Sequence, residues 1–190
     1  GAKAQNSIKG GWGSFGARQI KGHFSHPLNG TTSIAGALGY AGANGDFSFY
    51  DSKNTPTFTD DDTFTRRRNN HYNRLVGYLG FYADQDPWKY SIQHVTYAKK
   101  QGIPGNAAAQ SSQSQLDTLG LRLLGSATRK RIGPGGYLKF RFGSHYHRSH
   151  YQDPLMEAGI GHNDDLTQGG DLFFSPELRF QLYRGAFLNC

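Results

Sequence analysis

Ser33-Ile34-Ala35-Gly36-Ala37-Leu38-Gly39-Tyr40-Ala41 and Arg74-Leu75-Val76-Gly77-Tyr78-Leu79-Gly80-Phe81 are the two stretches that decide the fold. In the first, Ile34, Gly36, Leu38 and Tyr40 alternate with Ala35, Ala37, Gly39 and Ala41. In the second, Leu75, Gly77, Leu79 and Phe81 alternate with Arg74, Val76 and Tyr78. A period of two is the signature of an extended strand with unlike faces. The segments 31–43 and 72–83 bracket a polar stretch, 45–71. That stretch contains Asp60-Asp61-Asp62 and Arg66-Arg67-Arg68-Asn69-Asn70 and reads as a long loop.

The same pattern extends outward in both directions. Weak alternation over 3–13 and a clearer run over 17–27 precede it, joined by Ser14-Phe15-Gly16, and Leu28-Asn29-Gly30 supplies a hairpin turn. Beyond it, strands are expected at 88–99, at 115–130, at about 137–147 and at 172–182. The strand near 140 is the plainest: Leu138, Phe140, Phe142, Ser144 and Tyr146 alternate with Lys139, Arg141, Gly143, His145 and His147. Glycine inside a helix costs about 1 kcal/mol relative to alanine. Glycines recur every few residues through these segments, so the helical reading fails. The count is about eight strands, each joined to its neighbour in sequence.

Connection lengths alternate. Residues 28–30, 84–87 and 133–136 are tight turns, whereas 45–71, 100–114 and 152–168 are long and polar. Strands of 10 or more residues exceed the roughly 5 or 6 usual in soluble sheets, and crossing a bilayer as a tilted strand takes about 9–11 residues. Bacterial outer-membrane barrels place short turns in the periplasm and long loops outside. Trp12, Phe15, Tyr82, Trp88, Tyr137 and Tyr183 fall near strand ends, as interfacial girdles would require. The expected fold is therefore all-β: an antiparallel up-and-down transmembrane β-barrel segment in one domain over 1–190, located in the bacterial outer membrane. Ile34, Leu38, Leu75, Leu79 and Phe81 are the expected lipid-facing wall. A mean hydropathy of −0.66 does not oppose this, because barrel strands expose apolar groups only at alternate positions. A soluble ligand-holding β-barrel gives the same alternation with the faces reversed, and a small closed eight-strand barrel with a structural or adhesion role is a further alternative.

The net charge is +7, with a pI near 9.5. The basic residues are spread through strands and loops, and no nucleic-acid-binding motif accompanies them, so nucleic acid is not an expected partner. One cysteine, Cys190, excludes an internal disulfide. The chain opens at Gly1 without Met or a signal peptide and reads as processed, or as a piece of a longer protein.

Gly11-Trp12-Gly13-Ser14-Phe15-Gly16, the stretch Gly45-Asp46-Phe47-Ser48-Phe49-Tyr50 through Arg66–Asn70, and Gln101-Gly102-Ile103-Pro104-Gly105 together resemble, in order, the first barrel strands and loops of a TonB-dependent outer-membrane receptor. The resemblance implies a barrel of about 22 strands filled by a plug domain. This chain would supply the first part of the wall, with plug and later strands absent or carried by other chains. It further implies uptake of a scarce nutrient (an iron chelate, a cobalamin or an oligosaccharide), powered by the TonB system through the plug.

Chemistry-bearing residues are few. Arg66, Arg67, Arg68, Asn69 and Asn70 are the expected ligand-contacting outer loop, because guanidinium groups make bidentate contacts with anions. His145 and His147, at i and i+2 on one strand face, are expected on the lumen wall, with His150 and His162 nearby. No carboxylate or cysteine completes a metal set at close spacing, so neither a metal nor a cofactor is expected. Asp60-Asp61-Asp62 and Asn163-Asp164-Asp165 lack the ligand spacing of a calcium loop. No nucleophile–base arrangement and no Gly-x-Ser-x-Gly elbow is present, so the chain is not read as an enzyme.

Overall fold

Successive side chains on an extended strand point to opposite faces, and paired strands in register bring residues of one parity onto one face of the sheet. The computed structural model describes residues 4–53, 55, 59–133, 135–158, 163–183 and 186–189. Lys3, Asn54, Pro56, Pro134, His162, Arg184, Gly185 and Cys190 lie outside them. The chain runs β1 (Gln5–Trp12), β2 (Arg18–Pro27), β3 (Thr32–Ala43), β4 (Ser48–Asp51), β5 (Thr63–Arg66), β6 (Tyr72–Gln85), β7 (Trp88–Gly102), β8 (Gln115–Lys130), β9 (Tyr137–Asp153), β10 (Asn163–Tyr183) and β11 (Ala186–Asn189). Among the described residues, one 3-10 turn, Ser14–Gly16, is the whole of the helical content.

The main sheet has nine strands in the order β1-β2-β3-β6-β7-β8-β9-β10-β11, every neighbour antiparallel, and β4 and β5 form a separate two-stranded hairpin. The order is up-and-down throughout. The sheet is open: β1 and β11 are its edges, and no pairing joins them among the described residues. Register runs without interruption across the middle strands. Ile34 pairs with Phe81, Phe81 with Ile92, Ile92 with Gly125, Gly125 with Phe142 and Phe142 with Phe174.

That row belongs to an apolar face that also carries Ile8, Ile20, Leu38, Leu79, Leu123 and Leu172. Trp12 and Tyr40 stand toward the end with long connections. Two stacked aromatic pairs, Trp88 with Tyr90 and Phe140 with Phe174, stand toward the end with short turns. Nothing among the described residues covers this face. Among the described residues, Ala83 is the one buried hydrophobic residue, while Ile8, Trp12 and Leu172 are each 80% or more exposed. The accessible surface is 12635 Å². A folded soluble monomer of 21.0 kDa has roughly 9,000 Å². The excess is the bare apolar face together with the equally uncovered polar one.

Several expectations need correction. The loop 45–71 holds the β4–β5 hairpin, whose four-residue strands are too short for alternation to register. The expected loop 152–168 is strand over Asn163 through Gln168, which pair with Asp153 through Arg148. Where β9 and β10 project past the apolar band both faces are polar apart from Leu166, so the period of two disappears while the ladder continues. A ninth strand, β11, joins the main sheet after the eight expected. Tyr82 and Tyr137 are not part of an aromatic rim: their parity puts them on the polar face, where the Tyr82 hydroxyl meets that of Tyr78 at 2.5 Å and Tyr137 donates to Glu177. Phe15 sits in the turn between β1 and β2 at φ +56° and packs edge-on against Phe47.

Candidate functional site

Because β3 to β6, β7 to β8 and β9 to β10 all reverse at the same end, the three long connections meet there. Polar side chains bind them into a platform. Asn69, held at φ +51°, is its centre. Its amide Nδ2 lies 3.2 Å from the Ile103 carbonyl, 3.2 Å from Ser111 Oγ and 2.6 Å from the Ser114 carbonyl. One side chain thus closes the 103–114 connection onto the 45–71 connection.

Arg67 reaches across the same gap. Its guanidinium donates to the carbonyls of Gly105 (2.5 Å) and Asn106 (3.2 Å) and lies 5.6 Å from the Phe49 ring centroid. Arg68 contributes its backbone N–H, which donates to Gln110 Oε1 at 2.7 Å, and Gln110 Nε2 donates to the Arg66 carbonyl. Asn70 donates to the Gly45 carbonyl at 3.2 Å. The Arg66 side chain stays exposed, with Asp46 at 3.9 Å.

Two carboxylates secure the third connection. Asp153, at the end of β9, is fully buried. It accepts from Ser114 Oγ at 2.7 Å and from the backbone N–H groups of Glu157 and Ala158, each at 2.9 Å. Glu157 in turn accepts from the backbone N–H groups of Ser112 and Gln113, at 2.7 and 3.0 Å, and from the Ser112 hydroxyl at 2.8 Å. These bonds, led by the Ser112 N–H, hold the Glu157 carboxyl below the usual glutamate range.

Gln110, Ser111, Ser114, Asp153 and Glu157 were not among the residues the sequence singled out. One signal for them was present: Asp153-Pro154 favours turn initiation. The Ser-rich run that partners it carried none.

The β4–β5 hairpin stands away from the sheet. Its exposed aromatic pair, Tyr50 and Phe64, meets edge-on with centroids 5.6 Å apart. The acidic run serves this hairpin internally: Asp62 accepts from the Tyr50 hydroxyl and Asp61 from Thr55. Asp51 accepts from the Lys53 ammonium at 2.8 Å and from its backbone N–H at 3.0 Å, which lowers its carboxyl pKa.

His145 and His147 do not join the platform. They stack 5.8 Å apart on the polar face, with His145 Nδ1 3.4 Å from Asp171 Oδ1. From His147 to Asp153 the strand rises about 20 Å. His150, three positions on from His147, has the opposite parity. It lies on the other face, 2.5 Å from Asp164. Among the described residues no three His, Cys, Asp or Glu side chains are arranged to hold a metal ion.

The expected site therefore divides into two places: a loop platform containing residues 66–70, and a mid-sheet polar face containing His145 and His147. Neither a scan of protein-family models nor a search of curated proteins finds a match to this chain.

Proposed function

We propose that this chain forms part of the wall of an outer-membrane β-barrel belonging to a TonB-dependent nutrient receptor. The observation that carries the membrane reading is the uncovered apolar face. A soluble sheet buries its apolar face against a second layer, and none is present among the described residues. Lipid is the covering that such a face fits, and strands of 14–17 residues in β6 to β9 are long enough to cross it with tilt. On this reading the polar face lines the lumen, the platform faces outward, and the short turns lie in the periplasm. Backbone groups at an open sheet edge are costly in lipid, so β1 and β11 take further strands as neighbours.

The receptor part of the proposal rests on the likeness of the first turn and of two long connections to that family's loops. In it, the platform meets a small nutrient from outside, while a plug, carried elsewhere, couples to TonB. The chain itself does no covalent chemistry and binds no nucleic acid. The first test is fractionation of the expressed protein, followed by gel migration with and without heating in detergent. Recovery in outer membranes with heat-modifiable migration is the expected result; recovery in the aqueous fraction would overturn the membrane reading. Growth of a deletion strain on limiting iron chelate, cobalamin or oligosaccharide tests the transport part. Unimpaired growth on all three would remove it.

A further inference from the structure

The polar face holds two pairs of like charges that no described residue neutralises. Lys9 and Lys21 stand directly opposite each other across β1 and β2, and Arg74 and Lys99 across β6 and β7. Lys21 pairs with Gly39, and Gly39 with Val76, two positions from Arg74, so all four share one face. Like charges in directly opposed positions are destabilising. Among the described residues none of the four makes an ion pair or a side-chain hydrogen bond. On the polar face of β1, β2, β3, β6 and β7 the one carboxylate is Asp84. It lies at the short-turn end, about 33 Å along the strand from Arg74, and Lys89 and Lys130 already hold it at 2.9 and 2.7 Å.

Between the two pairs the sheet is floored by small residues, Ala37, Gly39 and Ala41. A Cβ added at Gly39 would rest 3.7 Å from Lys21 Cγ, so the lysine stem lies across a glycine rather than against a bulky neighbour. Lys9, Lys21 and Arg74 border the resulting hollow of about 390 Å³, with His23 and Tyr78 also lining it. Strand spacing and rise put the Lys21 and Arg74 backbones about 12 Å apart. Both side chains are long enough to reach one ligand lying between them.

We infer that this hollow is a binding site for a small solute carrying two or more anionic oxygen-rich groups, phosphate or carboxylate. The inference rests on the reading of the polar face as lumen, and it narrows the transported nutrient to a polyanion. A polyanion relieves both like-charge pairs at once. Its binding weakens as salt screens the four cations.

The test is calorimetric titration of the folded full chain with inorganic pyrophosphate and, separately, with citrate. The wild type is expected to bind at least one of the two. The double variant Lys21→Gln/Arg74→Gln should weaken that binding at least tenfold, and Lys9→Gln/Lys99→Gln, a second pair on the same face, should weaken it similarly. Arg131→Gln, in a turn, should leave it unchanged. Pyrophosphate alone identifies phosphate chemistry, citrate alone carboxylate chemistry, and binding of both a general polyanion; each supports the site. No binding of either anion, or equal weakening in Arg131→Gln, overturns it. Heat-modifiable migration of the same samples separates the two claims. A chain that folds in detergent but ignores both anions refutes the site and leaves the membrane reading standing. A chain that folds only in aqueous buffer refutes the membrane reading, and the titration in that buffer still decides the site.

Discussion

Asp153 shows how much of the platform depends on single side chains. It is wholly buried and satisfied by a hydroxyl and two backbone N–H groups. Asp153→Asn replaces one acceptor oxygen with a donor facing donors, and should destabilise the chain by about 2–3 kcal/mol, read as a lowered denaturation midpoint. Amide hydrogen exchange at 157 and 158 should quicken with it. Glu157 has the signature of a carboxylate stabilised as the anion. Its folded pKa is held below the usual value of 4.5, so its contribution is fully present above that value and is lost as pH falls through the depressed one. Protease cleavage near 111–114 should therefore rise as the pH drops below about 4.5, and Glu157→Gln should abolish that pH dependence. The arginine run divides in the same way. Arg67→Ala removes the links to Gly105 and Asn106 and should lower the thermal midpoint, while Arg66→Ala, at an exposed side chain, should change stability by no more than about 0.5 kcal/mol. If instead both variants leave stability unchanged and abolish nutrient capture, residues 66 and 67 act as ligand contacts rather than as loop ties.

At the scale of the element, pairing and face were legible wherever a strand separates apolar from polar. Ile34, Leu38, Leu75, Leu79 and Phe81 do share one face, and Ala35, Ala37, Gly39 and Ala41 share the other. Legibility failed where that separation fails: at the start of β10, where Leu166 is the one apolar side chain among polar ones, in the four-residue strands β4 and β5, and for Tyr82 and Tyr137, whose position near strand ends said nothing of their parity. The platform was illegible for another reason. Its bonds join residues some 40 positions apart, and no local pattern encodes that a serine near 111 will meet a glutamate at 157. One packing device inside the strands is testable. Phe142 lies over Gly125, its directly opposed partner, so that a Cβ at 125 would run into the ring. Gly125→Val should cost about 1–3 kcal/mol in urea unfolding, whereas Gly10→Val, where the nearest atom is the Gln19 carbonyl oxygen at 3.6 Å, should cost clearly less.

Among its described residues the molecule is a sheet without a core, and the decisive substitutions are those that ask what touches each face. Leu79→Arg sits mid-strand on the apolar face. In a bilayer it should cost about 2–4 kcal/mol and lower the folded fraction in lipid, while Gln93→Lys, on the opposite face and away from the cationic hollow, should be nearly neutral. Equal tolerance of both would mean that the apolar face meets water. The up-and-down order has a consequence of a different kind. Among the described residues each strand packs chiefly on the strands beside it, so most of the information specifying the assembly is held between nearest neighbours. A hairpin copied in or deleted between two existing strands would change the curvature of the sheet and a single seam, and would leave every other pairing intact. Such a chain can alter its width by whole hairpins, an evolutionary freedom closed to a protein whose elements all converge on one shared interior.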